Sequence, residues 1–131
     1  MFKTSEAFAI ALHSMVFLAS RPKEIVPIKE ISERFSISAN HLSKILQRLV
    51  KSGFITSTKG IGGGFRIVPQ KKNISFFDVY KAIERDLKAS NCIFQSKKTK
   101  CHTCIMGTFV CKMNKDFYDY LKNTKISDFS L

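Results

Sequence analysis

The chain has 131 residues, a formal net charge of +12 and a pI near 9.8. That length suits one compact domain with an extension rather than two independent domains, and 44% apolar residues are enough for a core. The positive balance predicts an anionic partner; with no apolar run of membrane-spanning length and no secretory signal, the expected location is cytoplasmic, with no membrane partner.

The segment 1–20 reads as a first helix capped by Thr4 or Ser5, with Phe8, Leu12, Met15, Phe17 and Leu18 as its apolar surface. Glu6 and His13 are its notable polar side chains; a histidine on such a helix is more often a satisfied structural residue than a ligand. Arg21-Pro22-Lys23-Glu24 makes a turn. Pro27 then sits where a first helical residue tolerates proline, ahead of Ile28, Ile31 and Phe35.

Ser36-Ile37 is a connection short enough for a helix-turn-helix. The third helix, 38–52, opens at the N-cap Ser38 and places Leu42, Ile45, Leu46, Leu49 and Val50 on one face. The other face carries Asn40, His41, Lys44, Gln47, Arg48 and Lys51, donors able to reach base edges or phosphates, and Gly53 stops the helix. In a helix-turn-helix the second helix enters the major groove N-terminus foremost, so Asn40, His41 and Lys44 are the expected base-side residues.

Beyond Gly53 the pattern becomes extended. Strands are predicted over 54–58 and 65–68, rich in β-branched and aromatic residues, on either side of Lys59-Gly60-Ile61-Gly62-Gly63-Gly64. Four glycines in five positions allow positive φ and close backbone approach, which suits a hairpin tip lying along a groove. No acidic residue falls between Glu33 and Asp78, while Lys44, Arg48, Lys51, Lys59, Arg66, Lys71 and Lys72 all do. A solvated basic face and a ligand-free hairpin loop are the bland alternatives. A nucleotide-binding loop is disfavoured, because no Gly-Lys-Ser/Thr follows and the flanks are strands. The fold class is therefore mainly α with a small β-hairpin wing, a winged helix-turn-helix, and its DNA-binding candidates are Ser38, Asn40, His41, Lys44, Arg48, Lys59, Gly62, Gly63 and Arg66.

Ser75 and Asp78 match a capping box opening a helix with Phe76, Val79, Ile83 and Leu87 on its stripe, expected to pack under the wing. A polar loop follows from Ser90 to Cys104. From about Cys104 to Asn123, Met106, Phe109, Val110, Met113, Phe117, Tyr120 and Leu121 recur at helical spacing. A lone helix beyond a complete winged unit most simply pairs with its copy in a second subunit; the alternative is that it folds back onto its own domain. The expected organisation is 1–89 for the winged helix-turn-helix, 90–104 for a cysteine-rich loop, and 105–131 for a C-terminal dimerisation helix and tail.

Cys92, Cys101, Cys104 and Cys111 fall within twenty residues. Grouped thiols in a reducing compartment more often bind metal or sense redox than form structural disulfides. Lys97, Lys98, Lys100 and Lys112 favour the thiolate. Cys-x2-Cys spacing is shared by zinc and iron–sulfur sites, so spacing leaves the metal open.

The run Ile37-Ser38-Ala39-Asn40-His41-Leu42-Ser43-Lys44-Ile45-Leu46, with Leu49-Val50-Lys51-Ser52-Gly53-Phe54 and Lys59-Gly60-Ile61-Gly62-Gly63-Gly64-Phe65-Arg66, resembles the Rrf-type winged-helix transcriptional regulators, the IscR/NsrR-like family. The resemblance extends from the first helix to Ile126-Ser127-Asp128, and the glycine-rich wing is its most specific element. It implies a homodimeric bacterial transcription factor, a palindromic double-stranded DNA operator and, in many members, an iron–sulfur cluster held by three loop cysteines. Cys92 matches the first of these and Cys104 the third. The chain departs from the family pattern in three ways: Cys101 lies closer to Cys104 than the usual middle cysteine, Cys111 is extra, and Gly107 stands where the IscR-like branch has its histidine ligand. The fourth ligand is thus open among Cys111, His13 of the partner subunit and Glu6 of the partner subunit.

No enzyme is indicated, since Cys101-His102 has no orienting carboxylate and a base adjacent in sequence rarely points at its neighbour; no small-molecule substrate is expected. The expected function is a dimeric DNA-binding regulator or repressor sensing redox, iron or nitric oxide stress through a [2Fe-2S] or [4Fe-4S] cluster. The alternatives are a winged-helix regulator with structural zinc or no metal, and a basic RNA-binding or membrane-surface module.

Overall fold

The computed structural model describes residues 4–84, 90–93 and 102–131. Among the described residues five helices and one hairpin follow in the order α1 (Glu6–Ser20), α2 (Ile28–Phe35), α3 (Ala39–Lys51), β1 (Ile55–Thr58), β2 (Gly64–Ile67), α4 (Phe76–Ile83) and α5 (Phe109–Asn123), with short 3₁₀ turns at Pro69–Asn73 and Ile126–Asp128.

The local signals act where local chemistry decides. Ser5 caps α1 by accepting from the Phe8 amide, and Ser38 caps α3 by accepting from that of His41. The α4 box closes in both directions: the Asp78 amide donates to Ser75 Oγ at 3.1 Å, and the Ser75 amide to Asp78 Oδ2 at 3.0 Å. Burial raises the Asp78 carboxyl's pKa, but bonds from the Ser75 amide and hydroxyl, helped by Lys81, outweigh it and hold the group below its ordinary range. Pro27 is not the first residue of α2 but its N-cap, with ψ of 146°, because the Val26 strand residue just before it keeps the chain extended.

The helix-turn-helix connection depends on Ser36, the only non-glycine with positive φ among the described residues, at 55°. Its left-handed turn ends α2; the Ile37 amide donates to Ser32 O, and Ser32 Oγ donates to the Ile37 carbonyl. α3 then presents Leu42, Ile45, Leu46 and Leu49 to the core. Each such side chain contributes about 1.5–3 kcal/mol by leaving water.

β1 and β2 pair antiparallel, Ile55 opposite Ile67 and Thr58 opposite Gly64, with Ile55, Phe65 and Ile67 facing inward and Thr56 and Arg66 outward. Val26 adds a third short edge through two backbone bonds to Phe65, of 2.8 and 2.9 Å. The hairpin is thereby anchored to the segment before α2 as well as to α3. The helix packed against β2 is α1; α4 packs chiefly on α1, α3 and α5, so the expectation that it lies under the wing is corrected. α4 ends at Ile83, where Glu84 turns extended, and Leu87, expected on its stripe, lies outside the described residues.

α5 starts at Phe109, five residues later than Cys104, because Gly107 adopts φ of 57° and the stretch before it forms turns. It folds back on its own chain. Phe117 meets Tyr80 edge-on at 6.2 Å, Tyr118 meets Phe77 at 4.8 Å, and Leu121 joins the core. The stripe read as one surface is two: Val110, Asn114 and Leu121 are buried and Phe117 packs against the core, whereas Phe109, Met113 and Tyr120 remain exposed, Tyr120 with one ring edge toward Phe76 at 6.3 Å. After α5 the chain returns to α4's start, with the Phe76 amide donating to Thr124 O, the Ile126 amide to Ile74 O, and Phe129 stacked on Phe76 at 5.6 Å. Ile126 is fully buried in the same core as α1 and α3.

Candidate nucleic-acid interface and cysteine loop

The exposed side of α3 carries Asn40, His41, Lys44 and Gln47. Ser38 Oγ is occupied as an acceptor by the His41 amide at 3.2 Å, which leaves its hydroxyl proton to donate outward. No acidic side chain lies in the first turn of α3, so beyond the Ser38 cap the positive end of its dipole meets no carboxylate from that turn.

Arg48 is placed differently from the others. It is half-buried, and its Nη2 donates to the carbonyl of Ile83, the last residue of α4. That carbonyl has no partner within α4, and a cation there also meets the favourable end of the helix dipole. Sequence reasoning had no signal for this contact, since 35 residues separate donor and acceptor.

The hairpin tip is a turn closed by the Gly63 amide on Gly60 O at 3.0 Å. Gly62 holds φ of 78°, the positive value that the third residue of a type II turn requires. Gly63 is fixed by space: a Cβ there would lie 2.2 Å from the Thr58 carbonyl oxygen. Lys59 is exposed beside the tip and Arg66 is exposed further along β2, opposite Thr56.

Cys92, Cys104 and Cys111 are exposed and unlinked; Cys101 lies outside the described residues. Among the described residues no three His, Cys, Asp or Glu side chains are gathered as metal ligands would be. The donor set nevertheless suits an iron–sulfur group in kind, since such a group is held by thiolates and Cys92, Cys104 and Cys111 are exposed. Asn114, which sequence reasoning passed over, is buried on α5 and donates through Nδ2 to Ser90 O and Asn91 Oδ1, both at 3.0 Å. It thereby fixes the start of the cysteine loop to α5, one turn from Cys111. The only sign of it in sequence was a polar residue on an otherwise apolar stripe. His13 Nδ1 lies 2.6 Å from Ala9 O and its ring meets Phe35 edge-on at 5.7 Å, the satisfied arrangement; Glu6 is exposed on the first turn of α1.

A second helix with an exposed polar face, set beside a glycine-tipped hairpin, defines a winged helix-turn-helix protein. The family model described as an iron-dependent transcriptional regulator, Rrf2, matches residues 4–130, and the chain belongs to the Rrf2 family. The chain is 37% identical over 92 residues to the HTH-type transcriptional regulator NsrR of Bacillus subtilis, covering 70% of this chain and 62% of that protein. It is 29% identical over 119 residues to the HTH-type transcriptional regulator IscR of Vibrio vulnificus, covering 91% of this chain and 67% of that one. The match thus spans less than two thirds of the Bacillus NsrR proteins. Among solved structures, CymR (YrzC), the global cysteine regulator of B. subtilis, superposes with a TM-score of 0.75 at 18% identity, covering 98% of this chain and 95% of that one. These relatives are regulators rather than enzymes. Among the described residues no helix is long and apolar enough to cross a membrane.

Proposed function

We propose that the chain is a cytoplasmic, homodimeric transcriptional regulator that binds a palindromic double-stranded DNA operator and senses redox, iron or nitric oxide stress through an iron–sulfur cluster. The observation that carries the DNA reading is the outward face of α3, where Asn40, His41 and Lys44 stand exposed around a helix N-terminus with no acidic residue in its first turn, with Lys59 and Arg66 on the adjoining hairpin. α3 reads base edges in the major groove, while Lys59 and Arg66 hold phosphates and the hydroxyl of Ser38 donates to one. Gly62 and Gly63 let the tip's backbone approach the duplex. In this division of labour 1–89 reads, 90–104 senses, and 105–131 pairs the subunits.

Cys92, Cys101 and Cys104, with Cys111 as fourth ligand, are the donors proposed for the cluster, of [2Fe-2S] or [4Fe-4S] type. Such a group supplies a centre that oxidants and nitric oxide alter. Asn114 supports this choice of fourth ligand, because it ties the loop's start to the helix that carries Cys111. His13 of the partner subunit and Glu6 of the partner subunit are ranked below Cys111.

The test is footprinting combined with site selection. Two half-sites related by a dyad are expected, as two-fold binding requires. His41→Ala and Lys44→Ala should change the selected sequence. Lys59→Ala and Arg66→Ala should weaken binding to all duplexes and reduce the salt slope by about one each. Protection of one half-site, or a Lys59→Ala variant with unchanged affinity and salt slope, overturns the assignment.

A further inference from the structure

The hairpin tip carries one large apolar side chain, Ile61, with a relative exposure of 110%. The other exposed large apolar groups belong to the C-terminal helix and its lead-in, to the tail, or to the cysteine loop, as with Phe109, Ile105, Phe129 and Ile93. Ile61 belongs to none of these. An isolated apolar residue on a surface usually needs no explanation. Here two further observations set it apart: the turn closed from Gly63 to Gly60 holds it at the apex, and the same hairpin carries the exposed cations Lys59, beside the tip, and Arg66, opposite Thr56 on β2, with no acidic residue from 34 to 77.

We infer that Ile61 is an apolar wedge for the minor groove, pressing between base pairs and making the protein sensitive to how easily the DNA deforms there. The inference rests on the DNA reading proposed above. With α3 in the major groove, the groove next to it across one phosphate strand is the minor one, about 6 Å wide, which admits few side chains. The tip suits that space, because Gly60, Gly62 and Gly63 add no bulk and Ile61 alone projects. Isoleucine is stiff at χ1, so fixing it between bases loses little rotamer freedom. Apolar side chains inserted at base steps unstack and kink the duplex, and pyrimidine–purine steps such as TA yield most readily. Lys59 beside the tip and Arg66 further along β2 would hold phosphates while Ile61 contributes shape selectivity. The half-site should therefore prefer a flexible step one groove away from the bases read by α3.

The experiment measures DNA bending by circular permutation, together with affinity for operators whose wing-facing step is TA or a stiff AA. Wild type should bend the TA operator and favour it about tenfold. Ile61→Ala should lose both the bend and the preference while retaining its melting temperature and its binding to unrelated duplex. Ile61→Leu should retain both properties. Ile61→Lys should bind all duplexes more tightly yet still lose the TA preference. An Ile61→Ala variant with unchanged bend and step preference overturns the wedge and leaves the α3 reading intact. A wild-type protein that protects no duplex overturns both.

Discussion

At the scale of single residues, legibility follows sequence distance. The caps at Ser38 and Ser75 could be read because a cap bonds a backbone group two or three residues away, so spacing carries the information. The left-handed Ser36 gave no such signal: a serine there looks like any turn residue, and only the Ser32–Ile37 bonds around it show why the strained φ is accepted. Arg48 is the instructive case. Its place on the basic face of α3 suited either base or phosphate contact, yet its guanidinium is engaged with the Ile83 carbonyl. Arg48→Ala should therefore lower stability by about 1–2 kcal/mol through loss of a charge-assisted bond at a helix end. Selected binding sites should match those of wild type. Urea titration and site selection on the same preparation check this, and an unchanged midpoint with an altered consensus would move Arg48 to the DNA.

At the scale of elements, α3 was legible because its apolar period is clean, and the strands because they are rich in β-branched and aromatic residues on either side of the glycines. α5 was harder, since the apolar residues from Met106 to Leu121 wrap more than one face and period alone cannot divide them. The fold divides them by contact: Leu121 is 2% exposed in the core, whereas Met113 is 40% exposed. The two faces should separate by experiment. Leu121→Ala should cost about 2–5 kcal/mol in unfolding, the usual penalty for emptying a core leucine site. Met113→Glu should leave the unfolding midpoint of the isolated subunit within about 0.5 kcal/mol, as exposed substitutions generally do, and shift sedimentation from dimer to monomer. If Met113→Glu left the assembly state unchanged, the exposed stripe of Phe109, Met113 and Tyr120 would not be the pairing surface.

At the scale of the whole molecule, the proposed sensing rests on how the cysteine loop joins the proposed reading unit to α5. The described parts of that connection are the extended turn at Glu84 after α4 and the Asn114 bonds to Ser90 and Asn91. α4 touches α3 on one side and α5 on the other, so a change in how the loop sits on α5 has a packed route to the recognition helix. Binding a metal to Cys92, Cys101, Cys104 and Cys111 requires their thiolates, and the binding free energy adds to the stability of whichever loop arrangement holds it. Protein purified without oxygen should contain iron and sulfide, and its affinity for the operator should change when they are removed. Cys92→Ala, Cys104→Ala and Cys111→Ala should each lower the iron content, and Asn114→Leu should lower it less, because it releases the loop without deleting a ligand. Metal and sulfide analysis together with DNA titration of each variant decides the matter. Stoichiometric zinc without sulfide would make the thiols a structural site, and equal operator affinity with and without metal would remove them from regulation.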